Sequence, residues 1–514
     1  MADDAMHPDE QPDGQPDVQP DVQPDDVEPE AKPETESHDI PLPEHLRQAI
    51  AQDWDPAPPM PHPASPEVAP WAAARRAALS AQFRGQAVIV PAGTLTVRAN
   101  DTDYPFRAAS AFTWLTGETA ADAVLVMTPD GDGHRAVLYV GEFAQPGEAQ
   151  YFTSRVHGAV WVGNVPSVAD TEAVLGVPTR PLAALAADLA PHRDTDAILL
   201  RGVDPSVDAL LPRAESGALA QVIDELRLTK DEWELGRLRH ACEITARGFA
   251  DVVRELPRVV GRADLRGERW LEGTFWRRAR LEGNEVGYTS IVGSGVHATT
   301  LHWWRNHGVV EPGGLLLADM GVETDELYTA DVTRTMPVSG EWSPAQLQVY
   351  RAVLEAQAAG IAEVKAGADF LAAHRAAMYV LADHLHAWDI LPVTADVSCA
   401  DDPERPGAGL HRRYTLHGTS HMLGIDVHDC AQAREETYRE GTLAAGYVLT
   451  VEPGLYFQPN DRSVPAQLRG IGVRIEDDVA VTDGAAVNLS AQLPRDPDEV
   501  VAWMREVQNT PPAP

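Results

Sequence analysis

Four acidic residues in the second half of the chain lie in or at the end of apolar runs, an unusual setting for a charge. Burying a carboxylate without a partner costs several kcal/mol, so each of these residues needs a compensating group. Asp319 ends the run 315–319, Asp331 lies in the β-type run 328–335, Glu452 ends the run 447–452, and Glu476 lies in the alternating run 472–478.

A polar segment between Asp319 and Asp331 predicts a reversal of the chain. Gly321 and residues 323–326 have the composition of a hairpin turn. The two carboxylates would then lie on adjacent strands, close enough to share an ion. A lone buried aspartate more often caps a turn or pairs with an arginine, here Arg334, so these two residues alone leave metal binding open.

Three histidines occur within the twelve residues 417–428. The spacing of His417 and His421 resembles the helical zinc motif, but Gly418 occupies the position where that motif needs its glutamate. The glycines of this segment also argue against a helix. We therefore predict a glycine-rich turn suited to ligand and substrate contacts, although any single histidine is more often a hydrogen-bonded structural residue.

Taken together, the four carboxylates and one histidine could form an oxygen-rich metal site. Such a donor set favours Mn²⁺, with Zn²⁺, Co²⁺ and Fe²⁺ less clearly excluded. Two ions ~3.5–4 Å apart can share a hydroxide, polarise a carbonyl and hold the attacking and leaving groups. The chemistry predicted from the residues alone is therefore metal-assisted hydrolysis.

The elements that must position these residues follow from apolar patterning over a chain of 514 residues with 44% hydrophobic composition. We predict a disordered, acidic, Pro-rich tail and linker at 1–70, an N-terminal α/β domain at 71–218, a catalytic domain at 219–505 and a short tail at 506–514. Helical spacing predicts one connecting helical stretch over 219–256. The other predicted strands are 86–90, 123–127, 136–140 and 197–200, and the other helices are 72–82, 171–175, 182–189, 346–361, 368–386 and 499–507.

The charge distribution and the cysteine count exclude several functions. The net charge is −37, and residues 1–40 carry 14 acidic residues against one basic residue, Lys32. Such a surface repels phosphate, so nucleic acid and anionic membrane are not expected as partners. Three cysteines without a CxxC pair, and Asp3 and Asp4 in place of a basic leader, predict a reducing, cytoplasmic location. No apolar run approaches the ~20 residues of a membrane helix.

The ordered set Asp319, Asp331, His421, Glu452 and Glu476 resembles the five-ligand signature of the pita-bread metallopeptidases. Four sequence strings are similar to those of the aminopeptidase P family. They are DVTRT at 331–335, HGTSHMLGIDVHD at 417–429, VEPGLY at 451–456 and GIGVRIEDD at 470–478. Residues 98–107 and 112–117 resemble that family's N-terminal domain. The resemblance covers roughly residues 71–505 and implies an α/β (α+β) protein with an N-terminal α/β domain before a pita-bread catalytic domain.

The resemblance also implies a role for each site residue. Asp319 would bind one of two divalent ions, His421 and Glu452 the other, and Asp331 and Glu476 would bridge them. Glu452 would in addition shuttle a proton as the bridging hydroxide attacks. The remaining roles are catalytic or substrate contacts: His302 in the substrate site, His428 at the tetrahedral intermediate, and His417, Arg474 and Tyr456 around the proline-side pocket.

The implied activity is release of the first residue from peptides with proline at position two. Prolidase, restricted to dipeptides, is the alternative, and a pita-bread module acting only in binding is a third hypothesis. Asp101 corresponds to a residue that reaches a neighbouring subunit in tetrameric relatives, which implies a homo-oligomer. Two departures from the family are one extra residue between Asp319 and Asp331 and a charged insertion at 396–413, which could alter access to the pocket.

Overall fold

The protein is described by a computed structural model that covers residues 43–55, 60–100, 102–195 and 197–510. Most of the predicted acidic tail, the residue Asp101 and the last four residues of the chain lie outside the described residues. Within the segment 1–70, predicted as a disordered tail and linker, the structure forms a seven-residue helix, α1 (Glu44–Ile50), none of whose residues is buried. Trp54, just after it, contacts the rings of Tyr151 and Phe152, so this part of the linker is held against the N-terminal region.

The N-terminal region is built on a five-stranded mixed sheet, as the alternating strands and helices predict. Its other helices are α2 (Ala69–Gln82), α3 (Ser110–Thr116), α4 (Ala149–Thr153), α5 (Ala159–Val162), α6 (Val168–Leu175), α7 (Leu185–Leu189) and α8 (Pro205–Leu210). Its strands are β1 (Val88–Pro91), β2 (Val97–Ala99), β3 (Thr102–Asp103), β4 (Val124–Asp130), β5 (Gly133–Val140), β6 (Thr179–Pro181) and β7 (Ile198–Leu199). The sheet order is β6-β5-β4-β1-β7, with β2 and β3 forming a separate ribbon.

The predicted connector is helical in the structure and consists of two helices. They are α9 (Gly217–Arg227) and α10 (Glu232–Val259). The break is fixed by a capping box, in which Asp231 and Glu234 exchange side-chain and backbone hydrogen bonds. The N–H of Lys230 donates to the carbonyl of Gly446 instead of continuing the first helix. A local capping signal therefore overrides the continuous apolar spacing.

The catalytic region places small antiparallel sheets against two groups of helices. The helices are α11 (Gly267–Glu282), α12 (Pro344–Ala362), α13 (Ala372–Ala387), α14 (Ala395–Ser398) and α15 (Pro497–Asn509). The strands are β8 (Glu285–Val286), β9 (Ile291–Ser294), β10 (Leu315–Met320), β11 (Val322–Glu323), β12 (Val332–Pro337), β13 (Val448–Val451), β14 (Gly454–Tyr456), β15 (Gly472–Arg474), β16 (Asp477–Ala480) and β17 (Val487–Asn488). The sheet orders are β12-β10-β9, β11-β8, β13-β16-β17 and β14-β15.

Each helical group covers a different set of strands. Buried residues of α10, α11 and α15 share a core with β9, β10 and β12. Buried residues of α12 and α13 share another core with β14 and β15. None of the helices among the residues described is long and apolar enough to cross a membrane.

Two predictions about the site-bearing strands have different outcomes. Strands β10 and β12 pair antiparallel, with Asp319 opposite Thr333, so the predicted hairpin is present. The predicted continuous strand over 472–478 is wrong, because Ile475 and Glu476 separate β15 from β16. Strand β15 pairs with β14 whereas β16 pairs with β13, so the chain moves between two sheets at Glu476.

Candidate metal centre and active site

The alternation of side chains along β10 directs Asp319 away from the helices. Leu316, Ala318 and Met320 enter the core that β10 shares with α10 and α11. Successive side chains of a strand point to opposite faces, so Leu317 and Asp319 face the other way. Leu317 packs with Tyr456 and other residues beneath the cavity described below, and Asp319 lines that cavity.

The other three carboxylates reach the same place from separate elements. Asp331 immediately precedes β12, Glu452 immediately follows β13, and Glu476 lies between β15 and β16. All four line one cavity of about 920 Å³. Glu476 is 1% exposed, and Glu452 is more accessible, with 16% of its side chain exposed. Convergence therefore depends on three sheets and not on a local sequence motif.

His421 completes a cluster with metal-ligand geometry. One ligand atom from each of Asp331, His421 and Glu476 lies within 4.8 Å of the others. The Nε2 atom of His421 is 3.3 Å from Asp331 Oδ2 and 3.7 Å from Glu452 Oε1. Its Nδ1 lies 3.1 Å from the carbonyl of Met422 and so carries the proton, which leaves Nε2 facing the carboxylates.

The electrostatics of this cluster favour a bound cation. Burial, followed by repulsion from Asp331 and Glu452, raises the pKa of Glu476 well above its ordinary value. Burial raises the pKa of Glu452 to about 8, even though His421 and Arg474 oppose the shift. Burial acts to lower the pKa of His421, but the carboxylates of Asp331 and Glu452 outweigh it and raise this pKa to about 9. The residues fit a divalent ion, because one cation would relieve the repulsion that now holds protons on the cluster.

Arg474 connects the carboxylates to the wall of the cavity. This arginine is 3% exposed and donates from Nη2 to Asp319 and from Nε to the hydroxyl of Thr333 at 3.1 Å. The Thr333 hydroxyl in turn donates to Glu476 at 2.6 Å. The third donor, Nη1, reaches the hydroxyl of Tyr456 at 3.0 Å. Arg474 therefore binds the proposed ligand Asp319, reaches the proposed ligand Glu476 through Thr333, and binds Tyr456.

His417 extends this network in its neutral form. Its Nδ1 is 2.8 Å from the carbonyl of Gly418, and its Nε2 is 2.9 Å from the hydroxyl of Tyr456. Nδ1 therefore donates and Nε2 accepts, which leaves the Tyr456 oxygen to accept from Arg474. Burial, with the charge of Arg474 adding to it, lowers the pKa of His417 to about 3, which matches the neutral tautomer.

Two of the remaining predicted residues line the cavity, and Tyr456 does not. His302 and His428 line it together with His417 and Arg474. The His428 ring packs edge-on against His421, with 4.4 Å between ring centroids, and burial followed by the charge of His421 lowers its pKa. Tyr456 does not line the cavity and lies behind it, in contact with His417 and Arg474. None of the fully described residues 396–413 lines this cavity.

Three residues at the site were not identified by sequence reasoning. Tyr288 donates to Asp319 Oδ1 at 2.7 Å, on the opposite oxygen from Arg474. Thr333 links Arg474 to Glu476, as described above. Asp478 accepts from the N–H of Asp331 at 3.1 Å and from the thiol of Cys242 at 3.2 Å. Thr333 and Asp478 lie within quoted strings and alternate with Asp331 and Glu476, so period-two spacing could have indicated them.

The N-terminal region contacts the segment that carries His428. Arg107 donates to Glu323 at 2.7 Å and to the carbonyl of Ile425 at 2.8 Å, and Ser110 donates to Asp426 at 2.6 Å. From the connector, Lys230 binds Asp429 at 3.0 Å, and Arg227 binds both Asp426 and Asp429. These residues form a cluster, the Asp426/Asp429 contact, that holds the His428 segment against the rest of the chain.

Two family profiles match the two regions of this chain. Metallopeptidase family M24 matches residues 236–483, and the N-terminal domain of aminopeptidase P matches residues 72–196. Xaa-Pro aminopeptidase 2 of Streptomyces coelicolor is 51% identical over 441 residues, which are 85% of this chain and 91% of that protein. The chain belongs to the aminopeptidase P group of metallopeptidase family M24. Xaa-Pro aminopeptidase of Escherichia coli is 32% identical over 457 residues, 84% of this chain and 96% of that protein.

Solved structures of this group confirm the predicted fold. Aminopeptidase P from E. coli with the inhibitor Pro-Leu matches with a TM-score of 0.74 at 29% identity, over 86% of this chain and 99% of that one. The zinc-substituted E. coli enzyme in complex with product matches with a TM-score of 0.75. The prediction of an N-terminal α/β domain followed by a pita-bread metallopeptidase domain is therefore confirmed. Membership of family M24 also makes the chain a metalloenzyme that uses divalent ions.

Proposed function

We propose that this chain is a metal-dependent Xaa-Pro aminopeptidase that releases the first residue of peptides with proline at position two. The observation that carries the proposal is the convergence of the five expected ligands, Asp319, Asp331, His421, Glu452 and Glu476, on one cavity. Their order and types are those that the aminopeptidase P resemblance implies, and the relatives named above carry the same activity in their names.

Two divalent ions, with Mn²⁺ as the favoured metal, are proposed for this site. Asp319 would hold one ion, His421 and Glu452 the other, and Asp331 and Glu476 both. The predominance of carboxylate oxygens supports Mn²⁺. The hydrogen bonds from Tyr288 and Arg474 to the two oxygens of Asp319 support a fixed ligand orientation.

Bound divalent ions would polarise the scissile carbonyl and lower the pKa of a bound water, so that hydroxide is available near neutral pH. The chain's own contribution begins with Glu452, the most accessible of the four carboxylates, which suits it to accept a proton from water and return it to the leaving nitrogen. His428 and His302 face the same cavity and can donate to the oxygen on which negative charge develops. The family resemblance implies these roles, and the position of each residue at the cavity supports them.

His417 and Arg474 are proposed as the wall of the proline-side pocket, and Tyr456, which lies behind them, is proposed to hold that wall in place. Their hydroxyl, imidazole and guanidinium groups bind one another in a fixed order, so none is free to reorient. A wall held in this way suits the rigid ring of proline, because little side-chain entropy is lost when the substrate binds.

The extent of the cavity favours an aminopeptidase over the prolidase alternative. Besides the ligands, the cavity of about 920 Å³ is lined by Ala431, Glu435 and Arg439, and this size supports a substrate longer than a dipeptide. A dipeptidase instead needs a site closed behind its second residue. A module that only binds is not favoured either, since the chain keeps all five ligand types in a common cavity.

Hydrolysis of matched peptides tests the proposal. Xaa-Pro-Yaa, Xaa-Pro and Xaa-Ala-Yaa peptides would be offered to the Mn²⁺-reconstituted protein, with release of the first residue measured. We expect cleavage of Xaa-Pro-Yaa, weaker cleavage of Xaa-Pro and none of Xaa-Ala-Yaa. Efficient cleavage of the dipeptide alone would make the chain a prolidase, and no cleavage of any proline peptide would refute both activities.

A cytoplasmic homo-oligomer completes the proposal. All three cysteines are free thiols in the structure, which supports a reducing compartment. The homo-oligomer rests on the resemblance at Asp101, which would approach a neighbouring subunit's site. Light scattering checks the assembly, and a fully active monomer would refute it.

A further inference from the structure

The segment 295–308 carries three residues of the cavity wall. It leaves strand β9 through a short 3₁₀ turn and presents Leu301, His302 and Trp304 to the cavity. Both His302 and Trp304 are exposed, so contacts at the tip alone do not fix their positions. What holds the segment from beneath therefore decides where His302 lies.

Glu268, in the first turn of α11, provides a large part of that support. Buried Asn306 provides another part through Val292, Glu272 and Ser290. The Glu268 side chain is fully buried and its carboxylate accepts four hydrogen bonds from the segment and its start. Oε1 accepts from the N–H of Ser294 at 2.8 Å and from Nδ1 of His297 at 2.7 Å. Oε2 accepts from the indole N–H of Trp303 at 2.8 Å and from the N–H of Gly308 at 2.6 Å.

The surrounding residues are arranged to bring these donors together. The rings of His297 and Trp303 stack with 3.9 Å between centroids, so both ring N–H groups reach the carboxylate from one side. A Cβ at Gly308 would lie 2.7 Å from the Glu268 carboxylate and 2.6 Å from the His297 ring. Only glycine therefore allows the backbone of residue 308 to approach closely enough to donate.

A glutamate is required at this position by the balance of donors and acceptors. Every group facing the carboxylate is a donor, and each oxygen receives two of them. A glutamine would direct its NH₂ group at a backbone N–H whichever way it turned, because one backbone N–H binds each oxygen. A buried donor without an acceptor costs about 1–3 kcal/mol, enough to displace the segment.

We propose that Glu268 is a positioning residue, which fixes the segment 295–308 so that His302 faces the reacting end of the cavity. The inference rests on the proposed aminopeptidase function and adds a residue to its machinery that does not itself touch substrate. His302 immediately precedes Trp303 in the chain, and the Trp303 indole donates to Glu268. A shift of Trp303 therefore moves His302 directly. Displacement of about 1 Å is sufficient to reduce a rate severely.

A double-mutant cycle on the Mn²⁺-reconstituted full chain tests the inference. We expect Glu268→Gln to lower kcat/KM for an Xaa-Pro-Yaa peptide by about 10- to 100-fold. In the His302→Ala background the same substitution should lower it by less than about twofold, because the residue it positions is absent. The content of bound Mn²⁺ should stay unchanged, since the proposed ligands lie outside the segment. An equal loss in both backgrounds, or wild-type kcat/KM in Glu268→Gln, would overturn the inference.

Two further variants separate this role from general damage. Glu272→Gln, one turn along α11, keeps the acceptor oxygen for its 2.7 Å bond from Asn306 and should behave as wild type. Trp303→Phe removes one donor to Glu268 and keeps an aromatic ring. It can therefore replace Glu268→Gln in the double-mutant cycle with His302→Ala if Glu268→Gln does not fold. A Trp303→Phe effect that persists with His302→Ala would also refute the positioning role. Inactivity of the wild type and Glu272→Gln on proline peptides would instead refute the proposed function.

Discussion

Arg474 and the proposed metal ions neutralise the same carboxylates, which leads to a measurable coupling between them. Arg474→Met keeps roughly the side-chain length and removes the charge and three hydrogen bonds, those to Asp319, Thr333 and Tyr456. In metal-free protein this leaves Asp319 as a buried charge without its partner, which costs about 3–5 kcal/mol. In metal-loaded protein the cation compensates Asp319, and the remaining loss is two hydrogen bonds, about 2 kcal/mol.

The difference between these two losses has a definite sign. A variant that is destabilised more without metal than with it gains more stability on binding metal, so Mn²⁺ should bind Arg474→Met more tightly. A difference of about 1–3 kcal/mol corresponds to roughly 5- to 150-fold in affinity. Substrate use should nevertheless fall, because Tyr456 loses its link to the ligand cluster.

Chemical unfolding with and without Mn²⁺, together with metal titration against a competing chelator, measures this coupling. Arg334→Met is the matched control, because Arg334 is similarly buried and pairs with Asp477, which is not a proposed ligand. Arg334 contacts the proposed ligand Glu476 at the Glu476 backbone carbonyl and not at its carboxylate. Loss of the Arg334 side chain should lower the free energy of unfolding by the same amount with and without Mn²⁺. Equal destabilisation of Arg474→Met with and without metal, or weaker Mn²⁺ binding, would refute the reasoning.

Three other outcomes follow from the site. Chelation should abolish peptide hydrolysis and Mn²⁺ should restore it; full activity in exhaustively metal-free protein would exclude the proposed chemistry. Glu452→Gln should lower kcat by about 10²–10⁴-fold, and near-normal turnover with metal bound would exclude Glu452 as the proton shuttle. Metal-free protein should lose stability as the pH rises, because the folded-state pKa values of Glu452, about 8, and His421, about 9, lie above their ordinary values of 4.5 and 6.5. Unfolding measured between about pH 6 and 9 checks this, and metal-loaded protein, in which the ion replaces these protons, should show a weaker dependence.

The residues that could be identified from sequence are charged residues that lie among apolar neighbours. Asp319 and Glu452 each end an apolar strand, and such a charge needs an explanation that neighbouring residues do not supply. The hairpin joining Asp319 to Asp331 was likewise predictable from its turn composition. Convergence of these residues with Glu476 could not be derived locally, because it depends on three sheets meeting at one cavity, and here the family resemblance supplied the assembly.

The missed features arise from partners distant along the chain. Tyr288 has no local signal, since its role consists of one bond to Asp319, 31 residues later. Glu268 at the start of a helix has the ordinary appearance of a charge that complements the helix dipole. The break between α9 and α10 was carried by a local capping box, but the apolar spacing on both sides of it masked the signal.

The Asp426/Asp429 contact has a consequence for how the enzyme is assembled during synthesis. A chain emerges from its N-terminus, and its domains tend to fold in that order. Arg107, Arg227 and Lys230 are therefore in place long before the aspartates they bind have been translated. The late segment docks onto a surface that is already folded, and it brings His428 with it. Expressed alone, the catalytic domain would keep Arg227 and Lys230 against Asp429. It would lose the bonds from Arg107 and Ser110 to the same segment, at Ile425 and Asp426. We therefore expect the N-terminal domain and the connector to serve together as an internal folding template for the part of the active-site wall that carries His428.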